Sequence, residues 1–526
     1  MLINLNGAKC VGIDAVRVMV EVDVAAGIGI HLVGLADAAV KESLLRTVTA
    51  LQSMGYRIPG RKIVINLAPA DLRKNGSGYD LPIAIGIIAA SQQVSMPLAE
   101  DYLIMGELGL DASVRPVPGA LPFCELAEAA GLKGCILPEL SAMEAAGSVE
   151  TTVYGVRTLA DVIRILSGED CSDLLAGKAR WDHGADIPSD IPDFSDIIGQ
   201  DVAKRGVEIA AAGGHNVIMV GPPGSGKSLL AKAMGGILPP MDREEALVTS
   251  KIYSIAGKSL PGLMRQRPFR SPHYSASIAA MIGGGGADNI LPGEISLAQN
   301  GILFLDEFGQ MPKSVMEALR GPMEDRKVAI SRLRSRVEYP SSFMLVAASN
   351  PCPCGYYGEG DRCTCTPGQR QSYLGKLSGP IMDRIDIQLL VSGVPAAALV
   401  RAGRGKGERE TSAVVRERVT GARAVQSRRF AGTGIHTNAE MSARQLEEFC
   451  PLSEECQDLM ERIIEGMGLS ARAFSRLRRI ARTIADLDAA AEAAASGAVP
   501  VPGPIAPVHI SEAASYRFLD RTGIVL

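Results

Sequence analysis

A glycine-rich stretch in the middle of the 526-residue chain constrains its fold more than any other feature. The sequence Gly-Pro-Pro-Gly-Ser-Gly-Lys-Ser at 221–228 follows an apolar run, 217–220, that is too short for a helix, and it precedes residues that favour a helix. Strand, loop and helix in this order are the setting of a phosphate-binding loop, because glycines turn backbone N–H groups inward and the helix adds its positive end. We therefore predict a nucleotide site rather than a chance glycine-rich turn.

Two residues of this loop have separate predicted tasks. Lys227 supplies a mobile positive charge for the β- and γ-phosphates, and Ser228 is placed to hold Mg²⁺. ATP and Mg²⁺ are the expected cofactors. The predicted nucleotide-binding set is Gly221, Pro222, Pro223, Gly224, Ser225, Gly226, Lys227, Ser228 and Leu229.

Two further apolar runs end in polar residues. The run 301–305 ends in Asp306, which would hold the Mg²⁺ shell, and Glu307, which would orient or deprotonate the attacking water. The run 343–349 ends in Asn350, a side chain suited to positioning that water. Two acids after a strand can also begin an ordinary loop, but their occurrence together with the glycine-rich loop favours the catalytic interpretation.

Composition and charge limit the class of protein. The length predicts several domains, and 47% apolar residues are ample for their cores. The net charge of -4 gives no overall nucleic-acid signature, so such binding must come from local basic patches. The acidic N-terminal segment does not resemble a secretory signal, which predicts a cytoplasmic location. Prolines and polar residues interrupt the uncharged stretch 81–99, so we expect a buried helix there rather than a membrane span.

Four cysteines are crowded into one short segment with the spacing C-x-C-x₈-C-x-C. They are Cys352, Cys354, Cys363 and Cys365. Two nearby pairs of thiolates can close a tetrahedral Zn²⁺ site, and glycines between the pairs allow the chain to return. The spacing within each pair is tighter than the usual two residues, so reduced free thiols remain the alternative to the zinc site that we favour.

Two arginine-rich segments have different predicted roles. Arg332, Arg334 and Arg336 recur with period two, so in a strand they would project from one face and attract a polyanion such as DNA. The alternative is a solvated edge strand. For the second segment, 396–429, we expect an exposed loop and a helix with a solvated face.

The first 168 residues alternate strand-like and helix-like segments, which predicts a separate α/β domain. Its segments 74–86, 105–110 and 117–122 resemble the proteolytic domain of Lon-type proteases. A Ser-Lys dyad needs a hydroxyl beside an amine. This chain has Gly78 where the Lon pattern puts its serine, with Ser77 one position early, and Pro122 where the lysine is expected. We therefore predict a non-catalytic domain.

The sequence after residue 194 resembles an AAA+ module. The segment 378–387 is similar to the arm of magnesium-chelatase and MCM-like ATPases that carries the arginine finger, here Arg384. The segment 468–485 is similar to their sensor 2 helix and puts the phosphate-facing arginine at Arg472, while Asn350 matches sensor 1. Such guanidinium groups would neutralise charge on the γ-phosphoryl oxygens.

For Arg384 an ordinary alternative remains open. The arginine could form a surface salt bridge with Asp383 or Asp386. In that case Arg320 is the next candidate for the arginine finger.

The resemblance is closest to the YifB/ComM family of magnesium-chelatase-like AAA+ ATPases, and it rests on the segments 270–277, 292–307 and 350–358. It covers almost the whole chain, and Tyr274 and Gln299 are small departures at positions where histidine is common. It implies a ring homo-oligomer, a hexamer, that moves on single-stranded or branched DNA and has no membrane partner. Branch migration in recombination and natural transformation is the role attached to the family. The rivals are a magnesium-chelatase-like motor subunit for metal insertion and a non-motor ATPase scaffold.

The predicted fold class is therefore α/β, a P-loop AAA+ module with a helical lid preceded by a Lon-protease-like, S5-type α/β domain. In MCM-like rings a hairpin at the position of Arg332 to Arg336 enters the central pore. The expected divisions are a Lon-like domain at 1–168, a linker at 169–195, an AAA+ core at 196–395, and an arginine-rich segment with lid and C-terminal helix at 396–526.

Overall fold

The computed structural model of the protein describes residues 1–177, 190–286, 289–332, 335–376, 379–394 and 409–521. Part of the expected linker, Arg334 and the start of the second arginine-rich segment lie outside these residues. Within the described ranges, no helix combines the length and the apolarity needed to cross a membrane.

The first part of the chain forms a seven-stranded sheet and a small two-stranded pair. The sheet order is β3-β4-β2-β1-β5-β8-β9, antiparallel where β2 meets β1 and β4 and parallel elsewhere. The strands are β1 (Leu2–Val11), β2 (Asp14–Ala25), β3 (Ile30–Val33), β4 (Lys62–Ala68), β5 (Tyr102–Ile104), β6 (Glu107–Leu108), β7 (Val114–Arg115), β8 (Gly134–Pro138) and β9 (Thr152–Val156). The helices are α1 (Ala38–Ser53), α2 (Asp80–Ala90), α3 (Ala120–Ala129), α4 (Glu139–Ala145) and α5 (Leu159–Leu166).

Strand periodicity explains this sheet. In β2 the side chains of Val18, Val20 and Val22 are buried and alternate with less buried neighbours, the pattern of a strand with one face in the core. Every residue of α2 is buried. The expectation of a buried helix in 81–99 is therefore confirmed as far as Ala90, where α2 ends.

A second sheet has five parallel strands in the order β11-β14-β17-β10-β18. The strands of this part are β10 (Val217–Val220), β11 (Phe269–Arg270), β12 (Gly283–Gly286), β13 (Asn289–Pro292), β14 (Ile302–Leu305), β15 (Lys327–Arg332), β16 (Ser335–Pro340), β17 (Met344–Ser349) and β18 (Ile387–Leu390). The helices are α6 (Asp201–Gly213), α7 (Lys227–Met234), α8 (Arg243–Ile255), α9 (Ile278–Ile282), α10 (Glu294–Leu297), α11 (Lys313–Asp325), α12 (Pro367–Leu374) and α13 (Gly379–Met382).

The strands β10, β14 and β17 are buried along their whole length. Continuous apolar runs are typical of parallel strands that are covered on both faces. The expected strand, loop and helix at the glycine-rich stretch are confirmed, because β10 ends at Val220 and α7 begins at Lys227. The carboxyl ends of parallel strands meet at one edge, so the residues after β10, β14 and β17 come together.

Two hairpins leave this sheet, β12 with β13 and β15 with β16. The prediction of one strand with three arginines on one face was wrong. Arg332 ends β15 and pairs with Ser335, so Arg336 stands on the other arm. The reason is that the buried apolar residues lie on two arms. Val328 and Ile330 on β15 pair with Tyr339 and Val337 on β16, and together they bury one face of a hairpin.

The last part of the chain is helical. Its helices are α14 (Ser412–Arg429), α15 (Ala443–Phe449), α16 (Glu454–Met467), α17 (Ala471–Ser496), α18 (Pro507–Ser515) and α19 (Phe518–Arg521). The expected solvated face was wrong for most arginines of α14, although Arg428 is exposed. Arg416 donates to the carbonyl of Gly236, Arg418 to Glu208 and Arg423 to the carbonyl of Ala211. Because α14 packs its apolar residues on the core, these three arginines lie at the border of its buried face and reach these acceptors. Burial lowers the pKa of Arg423 to about 10.

Candidate nucleotide-binding site

The glycine-rich loop has the backbone that phosphate binding requires. Gly224 and Gly226 have φ angles of 77° and 94°, in the left-handed region that favours glycine. Lys227 is buried, and its Nζ donates to the carbonyl oxygens of Gly221 at 2.7 Å and Pro222 at 2.9 Å. The lysine amine therefore lies inside the loop.

The two predicted Mg²⁺ ligands touch each other. The Ser228 hydroxyl donates to Oδ2 of Asp306 at 2.9 Å, and the backbone N–H of Glu307 donates to Oδ1 of the same carboxylate at 2.9 Å. Glu307 has a φ of 50°, an uncommon value for a residue other than glycine. The arrangement presents an oxygen pair suited to Mg²⁺ with a second carboxylate directly after it.

Asn350 joins the same group. Its Oδ1 accepts from Lys227 Nζ at 3.4 Å, so the end of β17 meets the loop after β10. The structure thus brings together Lys227, Ser228, Asp306 and Asn350, which the sequence placed in three separate motifs, with Glu307 adjacent.

Burial also affects the charge of the loop lysine. Desolvation lowers the pKa of Lys227, and the nearby Asp306 carboxylate opposes that effect. A polyphosphate bound in the loop would stabilise the charged amine further, because an opposite charge at short range favours the ionised form.

Sequence reasoning missed two residues beside this site. The Gln200 amide donates to the carbonyl oxygens of Ser225, at 3.3 Å, and Ser392, and it has a φ of 63°. The Tyr373 hydroxyl lies 3.5 Å from Ser349 Oγ. The Gly-Gln pair at 199–200 was a signal for the first, since it precedes α6 directly; no local pattern marked Tyr373.

Arg384 and Arg472 lie beyond the amino ends of the strands of the five-stranded sheet, whereas the glycine-rich loop lies at the carboxyl ends. Both line a cavity of about 380 Å³ together with Asn216, which precedes β10. Asn216 Nδ2 donates to the Arg384 carbonyl at 3.0 Å. The strand β18 lies between Arg384 and the end of the sheet that carries the glycine-rich loop. Its four residues span roughly 13 Å at about 3.3 Å per residue, a distance longer than an arginine side chain.

Each of these arginines pairs with an acid. Arg384 Nη2 lies 2.5 Å from Oε1 of Glu324, and Arg472 Nη1 lies 3.5 Å from Oδ2 of Asp383. The structure thus adds a partner for Arg384 that the sequence did not suggest. Asp386 pairs with His215 at 3.3 Å, and Arg320, the next candidate, pairs with Glu317 on its own helix.

The four cysteines form one compact cluster. Their sulfur atoms all lie within 4.8 Å of one another, and the measured separations include 3.3 Å for Cys352 and Cys354 and 3.7 Å for Cys354 and Cys363. Zinc–sulfur bonds of about 2.3 Å in a tetrahedron put sulfur atoms about 3.8 Å apart, so the set fits a zinc ion. The pKa of Cys354 is lowered to about 6, chiefly because the backbone N–H of Tyr356 donates to its sulfur.

Of the predicted DNA-contacting residues, the structure places Arg332 and Arg336 on the two arms of the β15–β16 hairpin. Arg336 is exposed and pairs with Glu338 at 3.0 Å. Arg332 is the last residue of β15, and Arg334 lies outside the described residues.

The protease-like positions of the first domain have other neighbours. The Ser77 hydroxyl donates to Glu107 Oε2, and Gly78 packs against Met105. Pro122 is buried in the first turn of α3. These positions therefore hold no serine and lysine pair.

Comparisons with known proteins agree with this geometry. Residues 193–399 match the family described as "Magnesium chelatase, subunit ChlI", residues 20–141 match "Subunit ChlI of Mg-chelatase", and residues 409–517 match its C-terminal family. The fold and the site define a magnesium-chelatase-type AAA+ ATPase, which uses ATP and Mg²⁺.

The relatives identify the family. The chain is 40% identical to YifB of Salmonella typhimurium over 512 residues, covering 97% of this chain and 96% of the relative. It is 39% identical to the competence protein ComM of Haemophilus influenzae, again over 97% of this chain and 96% of that protein. The chain belongs to the YifB/ComM family of magnesium-chelatase-like ATPases. A shorter similarity, 42% over 82 residues, links 15% of the chain to 11% of an archaeal Lon protease of Halobacterium salinarum.

Proposed function

We propose that this protein is the subunit of an ATP-hydrolysing ring motor that acts on single-stranded or branched DNA, as a helicase or branch-migration factor in recombination or natural transformation. One observation carries the motor part of the proposal. The predicted phosphate loop and the predicted arginines Arg384 and Arg472 lie at opposite edges of one sheet. A second copy must therefore supply its arginines to this chain's nucleotide, as a ring allows.

The roles at the nucleotide belong to this proposal. Lys227 binds the phosphates, Ser228 and Asp306 hold Mg²⁺, and Glu307 with Asn350 positions the attacking water. Arg384 and Arg472 neutralise the developing charge on a neighbour's γ-phosphate. The ring is proposed to be a homohexamer.

Action on DNA has independent support from the β15–β16 hairpin, which carries Arg332 and Arg336 on its two arms and has Arg334 between them in the sequence. Basic side chains that recur along a short stretch suit the phosphate backbone, which supplies most of the affinity in sequence-independent binding, and Arg336 is exposed. The relative ComM is named a competence protein, which supports the proposed role in natural transformation.

The direct test is ATP hydrolysis measured without DNA and with single-stranded, duplex and branched DNA. We expect turnover to rise with single-stranded or branched DNA and unwinding to accompany it. If none of the three forms of DNA changed the rate of ATP hydrolysis, the DNA assignment would be refuted. Stimulation by a porphyrin instead would favour the metal-insertion motor, and ATP binding without turnover would favour a scaffold.

The cysteine cluster is proposed to hold Zn²⁺ through Cys352, Cys354, Cys363 and Cys365, and reduced free thiols are the alternative. The measured sulfur separations support a tetrahedral site. A bound zinc ion would supply no chemistry to hydrolysis; it would hold the loop that follows Asn350.

The organisation of the whole chain is also part of the proposal. It comprises a non-catalytic Lon-like domain at 1–168, a linker at 169–195, the AAA+ core at 196–395 and the lid with the closing helices at 396–526. We propose a cytoplasmic location and no membrane partner.

A further inference from the structure

The cysteine cluster lies directly against the predicted phosphate loop. Only Pro351 separates Cys352 from Asn350, and Cys352 is fully buried. Gly355, in the loop between the two cysteine pairs, is buried with a φ of 86°. A Cβ at Gly355 would lie 2.8 Å from both Cγ and Cδ of Pro223, closer than carbon atoms pack. The backbone of the cysteine loop is therefore in contact with the Pro223 ring.

The helix that follows the cysteine pairs reaches the turn after Glu307. α12 begins two residues after Cys365, and its Tyr373 packs against Gly309, where an added Cβ would lie 2.7 Å from the tyrosine oxygen. Gly309 follows Glu307 in the turn after β14. The cysteine segment thus touches the phosphate loop, and the helix directly after it touches the turn that follows the predicted catalytic acid.

The cysteine loop has little apolar packing of its own, and the rings of its Tyr356 and Tyr357 face Arg362 and Arg370 rather than apolar side chains. Between the two cysteine pairs, Gly358 and Gly360 have left-handed backbones with open space where a side chain would stand, and most neighbouring residues are at least partly exposed. A loop this small buries too little apolar surface to offset its conformational entropy, so a bound metal ion would supply much of its order.

We propose that the four-cysteine site is a metal-dependent brace for the phosphate loop. A thiophilic divalent ion such as Zn²⁺ holds Gly355 against Pro223, and this contact keeps the loop in its nucleotide-binding conformation. Gly355 is thus a positioning residue that acts through Pro223. The inference rests on the proposed nucleotide site, and it adds that nucleotide affinity depends on the metal.

The first experiment measures the dissociation constant of a fluorescent ATP analogue for zinc-loaded and zinc-depleted full-length protein. We expect depletion to weaken binding by about tenfold, within the usual range of coupled sites. The coupling must be reciprocal, so the analogue should strengthen zinc binding, measured against a competing chelator, by the same factor. The proposal is overturned if zinc depletion leaves the nucleotide affinity unchanged, or if the affinity for zinc is the same with and without bound nucleotide.

Two glycines of the same loop provide matched variants. Gly355 and Gly358 both have left-handed backbones, with φ of 86° and 93°, but an added Cβ at Gly358 meets nothing within 4 Å. We expect Gly355→Ala to weaken binding of the ATP analogue by about tenfold while the zinc content of the variant stays normal. Gly358→Ala should change the affinity for the analogue by less than about twofold. Equal effects of the two variants would contradict the brace.

Lys227→Ala separates this inference from the proposed function. If that variant binds the analogue as tightly as the native protein, the nucleotide site itself is misassigned. If it loses binding and zinc depletion has no effect, only the brace fails. Should Gly355→Ala not fold, the comparison of zinc-loaded and zinc-depleted native protein still decides.

Discussion

The hydroxyl of Ser228 donates a hydrogen bond of 2.9 Å to Oδ2 of Asp306, although 78 residues separate the two in the chain. The contact joins the first turn of α7 to the end of β14. It brings two oxygen groups of the kind that Mg²⁺ prefers to one point beside the predicted phosphate loop.

Changing Glu307 to Gln should leave ATP binding intact and reduce hydrolysis by at least about 100-fold, because the proposed catalytic base is lost while the proposed Mg²⁺ ligand Asp306 remains. Binding of a fluorescent ATP analogue and release of phosphate measure the two effects separately. If the Glu307→Gln variant hydrolysed ATP near the native rate, Glu307 would not be the residue that activates the attacking water.

Changing Lys227 to Ala should weaken nucleotide binding by about 10- to 100-fold, the usual effect of removing charge-assisted hydrogen bonds. Lys232→Ala is the matched control, since Lys232 is exposed on the same helix and should leave affinity unchanged. Similar affinities in the two variants would count against the loop.

Changing Arg384 to Ala should leave ATP binding normal and slow hydrolysis by about 1000-fold, the lower end of what an arginine finger contributes. Mixed rings with Lys227→Ala subunits should recover part of the activity, because those subunits lend an intact Arg384 to a neighbour with an intact loop. Arg320→Ala serves as the control, and it should hydrolyse ATP normally.

The mixing result is decisive if both variants assemble together. Activity equal to the sum of the separate variants would show that Arg384 does not act across the interface. The pairing with Glu324 would then be its main role, and Arg320 would become the finger candidate.

Purified protein should contain about one zinc ion per chain, and a strong chelator should release it with local destabilisation around residues 350–366. Metal analysis and hydrogen exchange of that segment are the measurements. Cys363→Ser should lower the zinc content, whereas Cys171→Ser, at a buried cysteine of the first domain, should not. A metal-free protein with full activity would reject the site.

Replacing Arg332, Arg334 and Arg336 together by Ala should weaken DNA binding, because fewer phosphates are neutralised. The slope of log affinity against log salt should become shallower by about one for each phosphate that the variant leaves without a basic partner. ATP hydrolysis without DNA should stay unchanged. Arg57→Ala, an exposed arginine of the first domain, is the control. Unaltered DNA affinity in the triple variant would leave the hairpin without this role.

Local pattern alone determined much of this protein. The glycine-rich loop, β10, β14 and β17 are specified by short apolar runs and the residues that follow them, and all were predictable because backbone sterics and burial act within a few residues. The meeting of Lys227 and Asn350 at one edge was also predictable, since parallel strands align their carboxyl ends.

Tertiary structure decided the features that depend on distant partners. Arg332 and Arg336 stand on the two arms of a hairpin because each arm buries its own apolar residues, and α14 directs Arg423 to the carbonyl of Ala211 in α6. The contacts of Arg384 with Glu324 and of Gly355 with Pro223 join residues far apart in the chain. No local periodicity encodes such contacts, because packing of the whole domain determines which surfaces meet.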